Sequence, residues 1–236
     1  MRLYIVRHAD PDYVNDSITE KGHREAKALA KRFSVQGLDK IYCSPKGRAI
    51  ATMRYTQELL NREGEIEEWT QEVWPQLYSL NEAGRYKALF QYPGESFRSS
   101  YPLPTHDSWE EAEIFKMNPA AREAIHKLRA DSDQFLLRLG YERSGGLYRC
   151  IKPNQEQIAI FCHAGFALTW LSILLEIPVT LMWSGFFLPP SSVTTILFEE
   201  RSEKWAVPRC IGLGDVSHVY EAGMKMSTIG LEGNLI

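Results

Sequence analysis

The sequence predicts an α/β fold, a three-layer sandwich in which a mostly parallel sheet carries helices on both faces. Short apolar runs alternate with stretches that bear helix-start signals, which is the pattern of successive β-α units. The 236 residues, 44% of them hydrophobic and 11% aromatic, are enough to bury a full α/β core. The segment from about Trp74 to Gln157 breaks the alternation. It reads as an insertion over the sheet edge where the active site of such a fold lies, within a single domain spanning 1–236.

Leu3 to Val6 is the first apolar run and reads as a buried strand. After a polar loop, Ser17-Ile18-Thr19-Glu20 supplies a capping box for a helix to about Phe33. Ile41-Tyr42-Cys43 opens a second unit, with Ser44 as N-cap, Pro45 at the first helical position and a helix to about Leu60. Ile158 to Leu175 carries no charged side chain unless His163 is protonated, and its length matches a membrane span. The Ile-Ala-Ile-Phe half favours a strand, however, and His163-Ala164-Gly165 interrupts the run. A buried strand-turn-helix explains it better. The insertion contains Pro93, Gly94, Pro102 and Pro104, followed by a helical stretch from about Ser108 to Leu139. Val193 to Glu199 and Lys204 to Cys210 read as late strands joined by a turn, and the tail after Gly214 has little periodicity.

A formal net charge of -3 provides no global field to collect a nucleic-acid backbone, so phosphate binding has to come from a few placed cations. Cys43, Cys150, Cys162 and Cys210 are widely spaced and include no C-x-x-C pair, the usage of a reduced cytoplasmic protein rather than of a zinc or disulfide framework. Met1 to Val6 is too short for the core of a signal peptide. The expectation is a cytoplasmic protein with no membrane and no nucleic-acid partner.

Arg7-His8 follows directly on the first strand, so both side chains should emerge at the edge where an α/β protein binds its ligand. The dipeptide alone is a weak motif. Arg48 falls in the first turn of the second helix, where the helix dipole disfavours a cation unless an anion compensates it. His163 closes the apolar strand, and Ala164 and Gly165 open a helix whose free amides suit an anionic oxygen. Two histidines and two arginines at strand ends point to one anion site.

On these residues the chain resembles the histidine phosphatase superfamily, the phosphoglycerate mutase-like group. Arg7-His8 matches the family's Arg-His-Gly, and Ser17-Ile18-Thr19-Glu20-Lys21-Gly22 resembles the Leu-Thr-x-x-Gly that follows it. Ser44-Pro45-Lys46-Gly47-Arg48-Ala49 matches Ser-x-x-x-Arg-Ala, Phe161-Cys162-His163-Ala164-Gly165 resembles the second histidine motif, and Ser191-Ser192-Val193-Thr194 the strand start after it. The resemblance implies that His8 is the nucleophile and that Arg7, Arg48 and His163 hold the phosphate, with the Ala164 end of the helix beside it. The family's proton donor, a Glu in a Leu-x-Glu element, aligns with Glu72 if Thr70 replaces the Leu, while Glu67 and Glu68 are close enough to compete. Two residues depart from the pattern. Ala9 and Ala164 stand where the family has Gly, which is tolerable if neither backbone takes a positive φ.

The implied activity is that of a phosphoric monoester hydrolase of branch 1, working through a phosphohistidine on a small phosphorylated metabolite, with no metal and no cofactor. His8 has to be neutral at its attacking nitrogen, its other ring nitrogen donating to a backbone carbonyl, while His163 is expected protonated beside the dianion. Glu72 would protonate the leaving oxygen and then activate water. Two other functions compete. One is a phosphoglycerate mutase-type phosphotransferase, although Asp10-Pro11-Asp12-Tyr13-Val14-Asn15 does not resemble the Glu-Ser-x-Trp-Asn loop of glycolytic mutases. The other is a catalytically weak member that binds a phosphorylated ligand, suggested by Ala9. The aromatic residues Trp74, Tyr78, Tyr86, Phe90, Tyr92, Phe97, Tyr101, Trp109 and Phe115 form the insertion's own core, a homodimer face or the pocket mouth.

Overall fold

A computed structural model describes all residues except 73–77, 81–85, 100, 107, 203 and 235–236, and the side chains of 78–80 and 86 are likewise not described. In chain order the elements are β1 (Arg2–Arg7), β2 (Pro11–Asp12), β3 (Ser17–Ile18), α1 (Glu20–Gln36), β4 (Lys40–Cys43), α2 (Gly47–Leu60) and β5 (Gly64–Ile66). The middle of the chain forms β6 (Tyr78–Leu80), β7 (Tyr86–Ala88), α3 (Glu95–Arg98), α4 (Glu113–Met117), α5 (Pro119–Arg138), β8 (Tyr141–Ser144) and β9 (Leu147–Cys150). Then come β10 (Gln157–Cys162), α6 (Ala164–Leu175), α7 (Val179–Gly185), β11 (Val193–Glu199), β12 (Trp205–Asp215) and α8 (Ser217–Glu221).

The main sheet has the order β5-β4-β10-β1-β11-β12-β9-β8. β1, β10, β4 and β5 run parallel, while β11, β12, β9 and β8 add antiparallel to the other side. The sheet is therefore mixed, and its parallel half is the part built from the β-α units. Alternation along β1 sends Leu3 and Ile5 into one core with Ile158, Ile160 and the helices α5 and α6. Tyr4 and Val6 go into the opposite core, with Leu29 and Phe33 of α1 and Met53 of α2. Helices thus cover both faces, completing three layers.

The segment between about 74 and 157 divides. Its first part supplies α3, α4 and short 3₁₀ turns, and its last part supplies α5 and the β8-β9 hairpin, which extends the main sheet instead of lying over its edge. Two helix starts also differ from the sequence reading. Thr19, not Ser17, caps α1, its hydroxyl accepting the Gly22 N–H, because Ser17 and Ile18 are drawn into β3 against Pro11 and Asp12. α2 begins at Gly47 rather than Pro45, with no side-chain cap from its N-cap Lys46. Ser44 is not its cap because its hydroxyl lies 2.8 Å from His163 Nε2. No helix among the described residues is long and apolar enough to cross a membrane.

Candidate active site

β1 ends at Arg7, and the chain beyond it is bonded from three directions. The His8 N–H donates to the Cys162 carbonyl (2.8 Å), and the His8 carbonyl accepts from the Ser191 N–H (3.0 Å). The Ala9 N–H donates to the Thr52 hydroxyl (2.9 Å), which itself donates to the Arg48 carbonyl (2.8 Å). These contacts hold the His8 backbone to β10 and to the first turns of α2. His8 Nδ1 lies 2.8 Å from the Ala9 carbonyl oxygen. A carbonyl can only accept, so Nδ1 carries the hydrogen and Nε2 presents a lone pair. Burial, then Arg7 and Arg48, hold the His8 pKa well below the usual imidazole range, which keeps the ring neutral.

Arg7 is buried and anchored by backbone. Nη1 donates to the Leu188 carbonyl at 2.6 Å and Nη2 to the Ile229 carbonyl at 3.3 Å. Arg48 donates from Nη1 to Asp16 Oδ1 at 2.6 Å. His163 stands with its ring centroid 5.2 Å from that of His8. The Ser44 hydroxyl accepts the Lys46 N–H at 3.3 Å and lies 2.8 Å from His163 Nε2, to which it donates or from which it accepts according to the tautomer of the ring. Arg7 Nε, Arg48 Nε and His163 Nδ1 are all buried without a hydrogen-bond partner among the described residues. Orphaned buried polar groups are costly. An anion with several oxygens would satisfy them together. Burial, followed by the charges of His8, Arg48, Arg7 and Lys46, pushes the His163 pKa well down, so without an anion His163 is neutral. The protonated His163 expected from the sequence therefore requires the dianion itself.

Glu72 reaches the start of α6. Its Oε1 accepts the Phe166 N–H at 3.0 Å and its Oε2 the Gly165 N–H at 3.3 Å, so two of the amides expected to face an anion are taken by this carboxylate. Ala164, the first residue of the helix, lines the cavity beside it. Burial raises the Glu72 pKa, against the lowering effect of the two amides and of Arg48 and Arg7. Its competitors lie elsewhere. Glu67 is held by Arg138 (2.6 Å) and by the Trp69 indole (2.8 Å), and Glu68 accepts from Gln71 (2.9 Å) on the surface. Ala9 and Ala164 are both outside the positive-φ region, so their methyl groups cost no backbone strain. The close approach is at Gly165 instead, where a Cβ would meet Phe90 Cε1 at 2.2 Å and Glu72 Oε1 at 2.7 Å.

Arg7, Glu72 and Ala164 line a cavity of about 750 Å³, behind which His8 and His163 are buried. Tyr13 contributes to its lining as well, Phe90, Tyr92, Trp183, Phe186 and Phe187 add aromatic surface beside the polar Gln91, Glu95 and Ser184, and Ile229 to Gly233 of the C-terminal tail complete it. Of the aromatic residues singled out in the sequence, Phe90 and Tyr92 line this cavity. Phe97, Trp109 and Phe115 pack in the core with Trp183 or with one another, Tyr101 is exposed, and Trp74 and the side chains of Tyr78 and Tyr86 lie outside the described residues. Sequence reasoning missed Tyr13, Asp16, Ser44, Thr52 and the tail as parts of the site. Ser44 carried a signal that was assigned to helix capping, and the tail carried none.

The family model described as the histidine phosphatase superfamily (branch 1) matches residues 3–209. A protein of Hydrogenobacter thermophilus provisionally named phosphoserine phosphatase 2 is 28% identical over 127 residues, which are 48% of this chain and 61% of that protein's length. Among solved structures, a phosphoserine phosphatase from Entamoeba histolytica bound to 3-phosphoglyceric acid superposes with a TM-score of 0.62 at 18% identity, covering 92% of this chain and 98% of that one. A phosphoglycerate mutase from Bacillus anthracis gives 0.59 at 16% identity, covering 94% and 96%. At such identities the structural likeness establishes the fold and nothing about substrate. With the family pattern matched from β1 into β12, this chain belongs to branch 1 of the histidine phosphatase superfamily.

Proposed function

We propose that the protein hydrolyses phosphate monoesters without a metal, through a phosphohistidine on His8. The observation that carries this reading is the bond from His8 Nδ1 to the Ala9 carbonyl, which places the hydrogen on Nδ1 and so leaves the Nε2 lone pair free in a ring that burial keeps neutral, beside the buried Arg7, the half-buried Arg48 and a second histidine. Phosphoryl transfer needs little more than placement and compensation of charge. Arg7, Arg48 and, once protonated beside the dianion, His163 each offer the equatorial oxygens a nitrogen that has no partner among the described residues. Glu72 protonates the leaving oxygen and then takes a proton from the water that attacks the phosphohistidine. Its raised pKa keeps the acid form populated to higher pH than an exposed glutamate would.

The cavity's aromatic wall supports a substrate whose leaving group has a flat or apolar body. Binding such a body remotely improves placement of the phosphoryl group. Pure protein should therefore turn over 4-nitrophenyl phosphate in the presence of a chelator and be inhibited by vanadate. Aryl and nucleoside monophosphates should exceed 3-phosphoglycerate in kcat/KM. Activity lost on chelation and restored by a divalent cation would refute the metal-free scheme. Return of the phosphoryl group to phosphoglycerate instead of water would make the protein a mutase, and no turnover of any ester would leave a ligand-binding member.

A further inference from the structure

The loop between His8 and α1 carries two residues, Tyr13 and Asp16, that the proposed reaction does not use. Asp16 has φ +43°, a left-handed conformation that is uncommon outside glycine, asparagine and aspartate. In that conformation its carboxylate makes two bonds at once: Oδ1 accepts from Arg48 Nη1 at 2.6 Å, and Oδ2 accepts from the Gly47 N–H at 2.8 Å, at the start of α2. The approach is close enough that a Cβ at Gly47 would lie 2.1 Å from the Asp16 carbonyl oxygen. Tyr13 comes from the same loop. The Arg48 guanidinium carbon lies over the Tyr13 ring, 5.6 Å from its centroid, and that ring is edge-on to His8 at 6.5 Å. Arg48 is thus held on one nitrogen by Asp16 and covered on one face by Tyr13. Its Nε, buried and without a partner among the described residues, is left to meet a ligand.

We propose that Tyr13 and Asp16 are positioning residues that fix the plane of the Arg48 guanidinium, so that Nε meets a phosphoryl oxygen as the bond to His8 forms. The proposal rests on the reading of Arg48 as a phosphate ligand. A guanidinium is a planar fork, and its value to a transition state depends on that plane being set beforehand. An unrestrained Arg48 would keep its charge and lose its aim. Both residues therefore act at the phosphoryl end, and their loss should be felt equally whatever leaves.

The test is a double-mutant cycle read with 4-nitrophenyl phosphate and phenyl phosphate. Asp16→Asn keeps a residue that tolerates the left-handed conformation and the Gly47 bond but removes the carboxylate charge that holds Arg48. It should lower kcat/KM by about tenfold or more on both esters and weaken vanadate inhibition in step. In an Arg48→Ala background the same substitution should change kcat/KM by less than about twofold. Tyr13→Leu should behave as Asp16→Asn does, and Tyr13→Phe, which restores the ring, should recover most of the loss. Equal effects of Asp16→Asn with and without Arg48, or Tyr13→Phe falling as far as Tyr13→Leu, would overturn the proposal. A wild-type protein that neither turns over these esters nor binds vanadate would instead defeat the phosphatase reading on which it rests.

Discussion

Replacing Glu72 by glutamine leaves an oxygen to accept one amide at the start of α6 but removes the proton that the proposed mechanism gives to the leaving group. Glu72→Gln should therefore slow alkyl phosphates by about 10²-fold or more and 4-nitrophenyl phosphate far less, since nitrophenolate departs with little protonation. With alkyl substrates, wild-type kcat should fall as pH rises through the raised Glu72 pKa, and that limb should vanish in the variant. Equal losses on both substrates would move the acid elsewhere. Gly165→Ala tests the same corner by sterics. The added methyl would strike the Phe90 ring and the Glu72 carboxylate, so turnover should drop at least tenfold while the thermal midpoint moves by only a few degrees. A variant with wild-type kcat would show that the corner can give way. Arg7, His8, Arg48 and His163 were legible in the sequence because each sits where a predicted strand or helix begins or ends. Glu72 was legible only through family resemblance, since nothing local distinguishes it from Glu67 and Glu68. Asp16 was not legible, because its partner Arg48 is 32 residues away and only folding brings them together.

At the level of elements, α1 carries a buried carboxyl under the nucleophile loop. Glu25 Oε2 accepts the Asp10 N–H at 2.9 Å, while Asp10 itself accepts the hydroxyls of Thr19 (2.8 Å) and of Ser227 in the tail (2.7 Å). Burial raises the Glu25 pKa from 4.5 to about 7. A folded-state value above the unfolded one means that the native chain holds this proton more tightly, so the contribution is present in acid and is lost as pH rises through about 7. The full swing is of the order of 3 kcal/mol. Glu25→Gln, which cannot ionise, should gain thermal stability relative to wild type between about pH 5 and about pH 8. Parallel midpoints across that range would show that Glu25 is ionised in the fold throughout. Strand positions were readable from apolar runs, and so was α6, whose helix follows the His163 interruption. Helix starts were less readable, because Ser17 and Ser44 have the chemistry of caps and spend it on a strand and on a histidine. A cap signal reports local preference, and a distant partner can outbid it.

For the whole molecule, the parallel half of the sheet followed from alternating strands and helices, and the site lies where that half ends. The antiparallel half was only partly visible. The β8-β9 hairpin sits inside what read as an insertion, and β12 continues five residues beyond the expected Cys210. The C-terminal tail was opaque, since Ile229 to Gly233 show no periodicity, yet they wall the cavity and Ile229 binds Arg7 through a carbonyl that any residue could supply. Phe90 and Tyr92 bring the middle segment to the cavity. Phe90→Ala should lower kcat/KM for phenyl phosphate more than for methyl phosphate, and an equal loss on both would assign the ring to packing alone. His163→Ala and Arg48→Ala should each leave residual turnover, whereas His8→Ala should leave none above background. The central claim, that His8 is the group phosphorylated, is tested most directly by quenching the wild-type protein within its first turnover of a fast aryl phosphate and mapping the covalent phosphate by mass spectrometry. The account predicts an acid-labile, base-stable phosphate on His8 that is absent from His8→Ala. Phosphate on Ser44 or Cys162, or turnover by His8→Ala at the wild-type rate, would contradict it.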